Sequence, residues 1–112
     1  MQLVRKLGIG LALVVSMTGQ GRAQGDGDLS FAANVTARYA ANAAACGQVQ
    51  SGTAATLRMA SAIDRRYGKV TVNDWLARFK AELDRSAGLK CDRDAVSKWQ
   101  TLFEQAYDRM SK

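Results

Sequence analysis

The chain reads as all-α: a small bundle of three or four helices, stapled by one disulfide and preceded by a cleavable signal peptide. Three observations predict this. The 112 residues contain no proline, so no helix is broken by that route. The larger apolar side chains recur at steps of three and four, the spacing of one helix face, and no run alternates as a strand does. Two cysteines, Cys46 and Cys91, stand far apart in a short chain and pair most simply with each other.

The N-terminus comes first because it sets compartment and working length. Arg5 and Lys6 precede an apolar run from Leu7 to Met17. Small and polar residues then lead to Gly21 and Ala23, at the −3 and −1 positions of a cleavage site. This is the three-part pattern of a secretory signal, and its apolar run is far shorter than the ~20 residues of a membrane span. The expected location is therefore periplasmic or secreted, after cleavage near Ala23. Retention of residues 7–17 as a tether is the alternative. A lipoprotein anchor is excluded, since no cysteine lies near the end of the signal.

Removing residues 1–23 leaves 89, enough for one domain with one core. It also removes Arg5, Lys6 and Arg22, so the net charge falls from +6 to +3. That balance is ordinary, and it does not point to nucleic acid as a partner. Residues 24–29, rich in glycine and aspartate, are expected to form a flexible tail, and residues 30–112 a single helical domain.

Ser30 is the expected N-cap of a first, alanine-rich helix from Phe31 to Cys46. Phe31, Val35, Tyr39 and Cys46 form its larger apolar face, and Gly47 ends it. Ser51 or Thr53 would cap a second helix reaching Tyr67, with Leu57, Ala60, Ile63 and Tyr67 as its apolar stripe. One bent helix from 30 to 67 is the alternative. Gly68 closes this region, and residues 69–72 are expected to be a short connection. Thr71 or Asn73 would cap a third helix carrying Trp75, Phe79 and Leu83, ended by Gly88. Asp92 would cap the last helix, whose stripe is Val96, Trp99, Phe103, Ala106 and Met110. The Cys46–Cys91 bridge would then tie the end of the first helix to the start of the last.

The residue inventory excludes several chemistries. There is no histidine, hence no Ser-His-Asp or Cys-His catalytic set and no His-ligated zinc. Asp26-x-Asp28 lacks the later oxygen ligands of a calcium loop. Cys91-Asp92-Arg93-Asp94 reads as a disulfide next to a helix cap rather than a metal cluster. No cofactor motif and no metal site is expected. The carboxylates fall at helix caps or among basic residues on polar faces.

Two sets of residues carry what functional signal there is. Arg65, Arg66 and Lys69 are the densest positive cluster. They suit a helix C-terminus, and they also suit an acidic partner or anionic surface. Trp75, Phe79, Trp99, Phe103 and Tyr107 form either core or an aromatic groove.

The layout of signal, short helical chain and long-range disulfide resembles that of the small acid-stress chaperones of the bacterial periplasm. The likeness is one of layout alone: no motif aligns, and the lack of histidine and the basic charge set this chain apart. The expectation is a non-enzymatic exported protein acting through a protein partner in the cell envelope, as an accessory subunit, an inhibitor or immunity-type protein, or a small chaperone. A small-molecule or lipid carrier using the aromatic faces is the second reading, and a carboxylate-based enzyme the third.

Overall fold

The computed structural model describes residues 26–112, and the signal-peptide reading of residues 1–23 lies outside the described residues. Four helices account for nearly all of them: α1 (residues 26–45), α2 (Val49–Tyr67), α3 (Lys69–Arg85) and α4 (Arg93–Ser111). No strand occurs among the described residues. The all-α fold and the Cys46–Cys91 disulfide are as the sequence predicts.

Helix α1 is the central element. Val35, Thr36 and Ala37 are consecutive and all buried, as are Ala32 and Ala33. Consecutive residues point about 100° apart on a helix, so burial of such a run means cover around more than half of its circumference. The other three helices supply it. Ser30 and Asn34 of α1 bond Arg78 and Glu82 of α3. Tyr39 stacks near Phe103 of α4, with ring centroids 5.9 Å apart. Helix α2 also packs against both α3 and α4, which do not pack against each other.

The closest approach lies between α1 and α2. A Cβ built on Gly52 would lie 2.8 Å from the Ala40 Cα and 3.0 Å from its Cβ. Only glycine fits there, which explains why a residue of poor helix propensity sits buried within α2. The alanine content of α1 thus has a packing reason beyond propensity: small side chains let three neighbours crowd one helix.

Several boundaries differ from the sequence expectation. Helix α1 is already under way at residue 26, and Leu29 belongs to the core, so residues 26–29 are not a tail and Ser30 is not its cap. Burial of Leu29 and the Arg78 contacts to Asp26 and Ser30 outweigh the turn-forming glycine and aspartates. The single bent helix is ruled out: Cys46 and Gly47 form a turn whose amides bond back to the carbonyls of Asn42, Ala43 and Ala44. Helix α2 starts at Val49, and neither Ser51 nor Thr53 caps it. The Thr53 hydroxyl donates instead to the Val49 carbonyl.

The expected connection at 69–72 is helical. A single residue, Gly68, joins α2 to α3, at φ 95° and ψ 177°. That backbone region belongs essentially to glycine, and it lets one helix end and the next begin without a loop. Neither Thr71 nor Asn73 caps α3. Asp92 does cap α4, accepting from the amides of Asp94 and Ala95.

The buried stripe of α2 also differs. Gly52, Ala55, Met59, Ala62 and Ile63 face inward, while Leu57 is 66% exposed and Tyr67 37%. Two small residues, Gly52 and Ala55, define this inner face, so hydrophobic size alone misplaces it by part of a turn.

Candidate functional site

The predicted aromatic residues divide into two clusters and a flank. On α3, Trp75 is fully buried and stacks on Phe79 at 5.5 Å. On α4, Phe103 is fully buried between Tyr39 and Tyr107, the latter 6.1 Å away. Both clusters are core. Trp99 stands apart, half-buried, with the Arg38 guanidinium 5.4 Å and the Lys98 ammonium 5.0 Å from its ring centre. The five residues do not come together as one groove.

Arg58 roofs the α4 cluster. Its guanidinium lies 4.3 Å from the Tyr107 ring centre and 5.4 Å from that of Phe103, and it makes a two-pronged ion pair with Glu104 at 3.0 and 3.2 Å. The Glu104 hydrogen bond raises the Arg58 pKa further above its usual value. Hydrogen bonds from Ser111 and then Arg65, with a smaller one from Arg58, hold the Tyr107 phenol below its usual value near 10.

The positive cluster is engaged locally. Arg65 donates to the Ser61 hydroxyl at 3.0 Å, Arg66 to the Arg109 carbonyl at 2.8 Å, and Lys69 pairs with Asp64 at 2.9 Å. Only the Arg66 contact satisfies a helix end, a carbonyl in the last turn of α4; the other two join side chains near the α2–α3 junction. The described residues contain no group of three or more acidic, cysteine or histidine side chains placed to hold a metal ion.

The most developed concavity lies elsewhere, at the disulfide end. Helices α2 and α3 are joined tightly at Gly68 and splay apart toward the N-terminus of α2 and the C-terminus of α3. The wedge between them is an open cleft of about 740 Å³. Its floor is the last turns of α1, with Ala40, Ala41, Ala44 and Ala45. Val49, Gly52, Thr53, Thr56 and Leu57 form one wall, and Phe79, Leu83 and the segment from Ser86 to Leu89 form the other.

The walls are apolar for a local reason. Thr53, Thr56 and Ser86 each donate their hydroxyl to a carbonyl one turn earlier on their own helix, those of Val49, Gly52 and Glu82. Their hydroxyl protons are therefore taken up by the backbone and are not free to donate into the cleft. Asp84 is the one charged side chain in the lining, and it forms no ion pair among the described residues. Around the rim, Val49 is 60% exposed and Leu89 44%, alongside Leu57. Exposed apolar side chains gathered on one concave patch mark a binding surface more than scattered ones do.

The Cys46–Cys91 bridge spans the end of this cleft. Cys46 sits in the turn between floor and α2 wall, and Cys91 in the segment that follows the α3 wall. Of the predicted site residues only Phe79 lines the cleft; Cys46 follows directly on the lining residue Ala45 and Cys91 comes two residues after Leu89, while Trp75, Trp99, Phe103, Tyr107 and the positive cluster lie elsewhere. The alanines, Gly52 and Leu57 were the missed residues. The available signal was Leu57, a large apolar residue nearly opposite the Gly52-Ala55-Met59 face of α2.

No protein-family model, curated protein or solved structure matches this chain.

Proposed function

We propose that this is an exported, non-enzymatic binding protein that docks an amphipathic helix of a partner protein in the α2–α3 cleft. The observation that carries the reading is the cleft itself: apolar, floored by alanines and open along one side, with Val49, Leu57 and Leu89 exposed on its rim. A floor of small side chains lets a visiting helix approach at close range, as α2 approaches α1. Helix-in-groove recognition uses a few apolar anchors at helical spacing. Asp84 favours a partner helix with lysine or arginine at the border of its apolar face.

A lipid or small-molecule carrier is less well supported, because such sites enclose most of their ligand and this cleft is open. The aromatic faces assigned to that role are packed in the core or stacked under cations. Export follows from the charged, apolar and small-residue pattern of residues 1–23, and the disulfide is compatible with an oxidising compartment. The partner is then expected in the cell envelope.

The test is a titration of the purified chain with Nile red, followed by a designed leucine–lysine amphipathic helix. Supporting results are dye binding that is lost in Ala44→Trp, which fills the exposed floor, and displacement of the dye by the helix. Binding without displacement by the helix favours the carrier. Absence of dye binding rejects the cleft as a site.

A further inference from the structure

The segment from Gly88 to Cys91 has little to hold it except its disulfide. The Ala87 amide still bonds to Asp84, and the Asp92 cap begins the order of α4. Between them, no backbone hydrogen bond ties the segment to the rest of the described residues. Its side chains add little: Leu89 is 44% exposed, and Cys91 is exposed as well. Yet Gly88 and Leu89 form the end of one cleft wall, and the Cys46–Cys91 bond ties that end to the turn between the floor and the opposite wall.

The core does not depend on this link in the same way. Helix α4 is held to α1 and α2 by Tyr39, Phe103 and the Arg58 roof. Helix α3 is held by Trp75, Phe79 and the Arg78 and Glu82 contacts to α1. The bond thus governs the cleft rim more directly than it governs the bundle.

We infer that the Cys46–Cys91 disulfide is a redox control on occupancy of the cleft, resting on the binding role proposed above. The reductant is a dithiol oxidoreductase. One of its thiolates attacks the sulfur of Cys91, an exposed residue, forms a mixed disulfide and releases the Cys46 thiolate, which takes a proton. The donor's second thiolate then closes on the first, releasing the Cys91 thiolate to be protonated. Two electrons and two protons pass to the protein, and the donor becomes a disulfide. Residues 88–91 are then free to leave the cleft rim, and the bound segment loses the end of one wall.

The experiment measures Nile red and the leucine–lysine helix binding to the oxidised chain, to the chain reduced with dithiothreitol and to the Cys46→Ser/Cys91→Ser variant. Helix content is followed by circular dichroism at 20 °C. The expected result is at least tenfold weaker binding in the reduced and double-serine forms, with helix content kept. Equal affinity in all forms overturns the control, while leaving the cleft a binding site. Loss of helix content on reduction also overturns it, since the bond is then a staple of the whole fold. Absence of binding in every form defeats the binding role itself, and this inference with it.

Discussion

Helix α1 presents the same kind of surface, small and alanine-rich, to two neighbours, yet the results differ. Toward α4 the space is filled: Phe103 inserts beside Tyr39, Tyr107 stacks behind it, and Arg58 lies over both rings. Toward α3 the space is filled only near the Gly68 junction, by Trp75 and Phe79. Beyond Phe79 the inward residues are Leu83, Ser86 and Ala87, too small or too few to close the wedge. A helix of small residues therefore does not determine whether its flank is core or cleft. The size of the side chains arriving from the neighbour does. The lesson is that small residues on a central helix buy closeness only where a partner brings bulk.

Phe103→Ala is the sharpest way to break this comparison. The ring is fully buried on the closed side, with no solvent route to relax into, so removing it should cost about 3–5 kcal/mol in a urea or guanidinium melt. A loss under about 1 kcal/mol would mean that the closed side is no better packed than the open one. Trp99→Ala should cost less than Phe103→Ala, because Trp99 is only half-buried.

Gly52→Ala comes next. The new methyl would meet the backbone of Ala40 at 2.8 Å, and a backbone atom cannot swing aside. The strain should outweigh the ~1 kcal/mol that alanine gains over glycine in a helix, for a net loss of about 1–2 kcal/mol. A stabilised variant would show that α1 and α2 are not in the close contact on which the cleft floor depends.

Leu57→Lys tests the open side. The residue is 66% exposed, so its replacement should change stability by under about 0.5 kcal/mol. Binding of the amphipathic helix should nevertheless fall at least tenfold. A substantial loss of stability instead would make Leu57 a core residue and close the cleft.

These contrasts also explain how much of the molecule was legible in its sequence. The helical character of the chain and the Asp92 cap follow from local chemistry, which is what a sequence displays, and the Cys46–Cys91 pair follows from there being only two cysteines; whether the helices number three or four does not. Trp75, Phe79 and Phe103 lie at helical spacing and are core, as large apolar residues usually are. The start of α1 was hidden because Gly27 and Asp28 resemble a tail, while the contacts that hold them in a helix come from Arg78, about fifty positions away. The cleft was hidden for a stronger reason. It is made of alanines, a glycine and back-bonded threonines, none of which has a motif. It exists only because α2 and α3 diverge, a property of packing and not of either helix alone.

The smallest predicted effect concerns the roof of the closed side. Hydrogen bonds from Ser111 and Arg65, with help from Arg58, favour the ionised Tyr107 phenolate, so its folded pKa lies below the unfolded value near 10. The sign of the linkage follows. The contribution to stability is present above the unfolded pKa and is lost as pH falls through the lower, folded one, leaving nothing at neutral pH. Ultraviolet titration of the folded chain should therefore show an early tyrosine phase below the usual phenol range, and Tyr107→Phe should remove that phase without a measurable change in neutral-pH stability. If the early phase survives the substitution, the donors do not converge on Tyr107. The roof would then be held by the Arg58–Glu104 pair and ring stacking alone, and the closed side would owe its closure to Phe103 and its neighbours rather than to a polar lid.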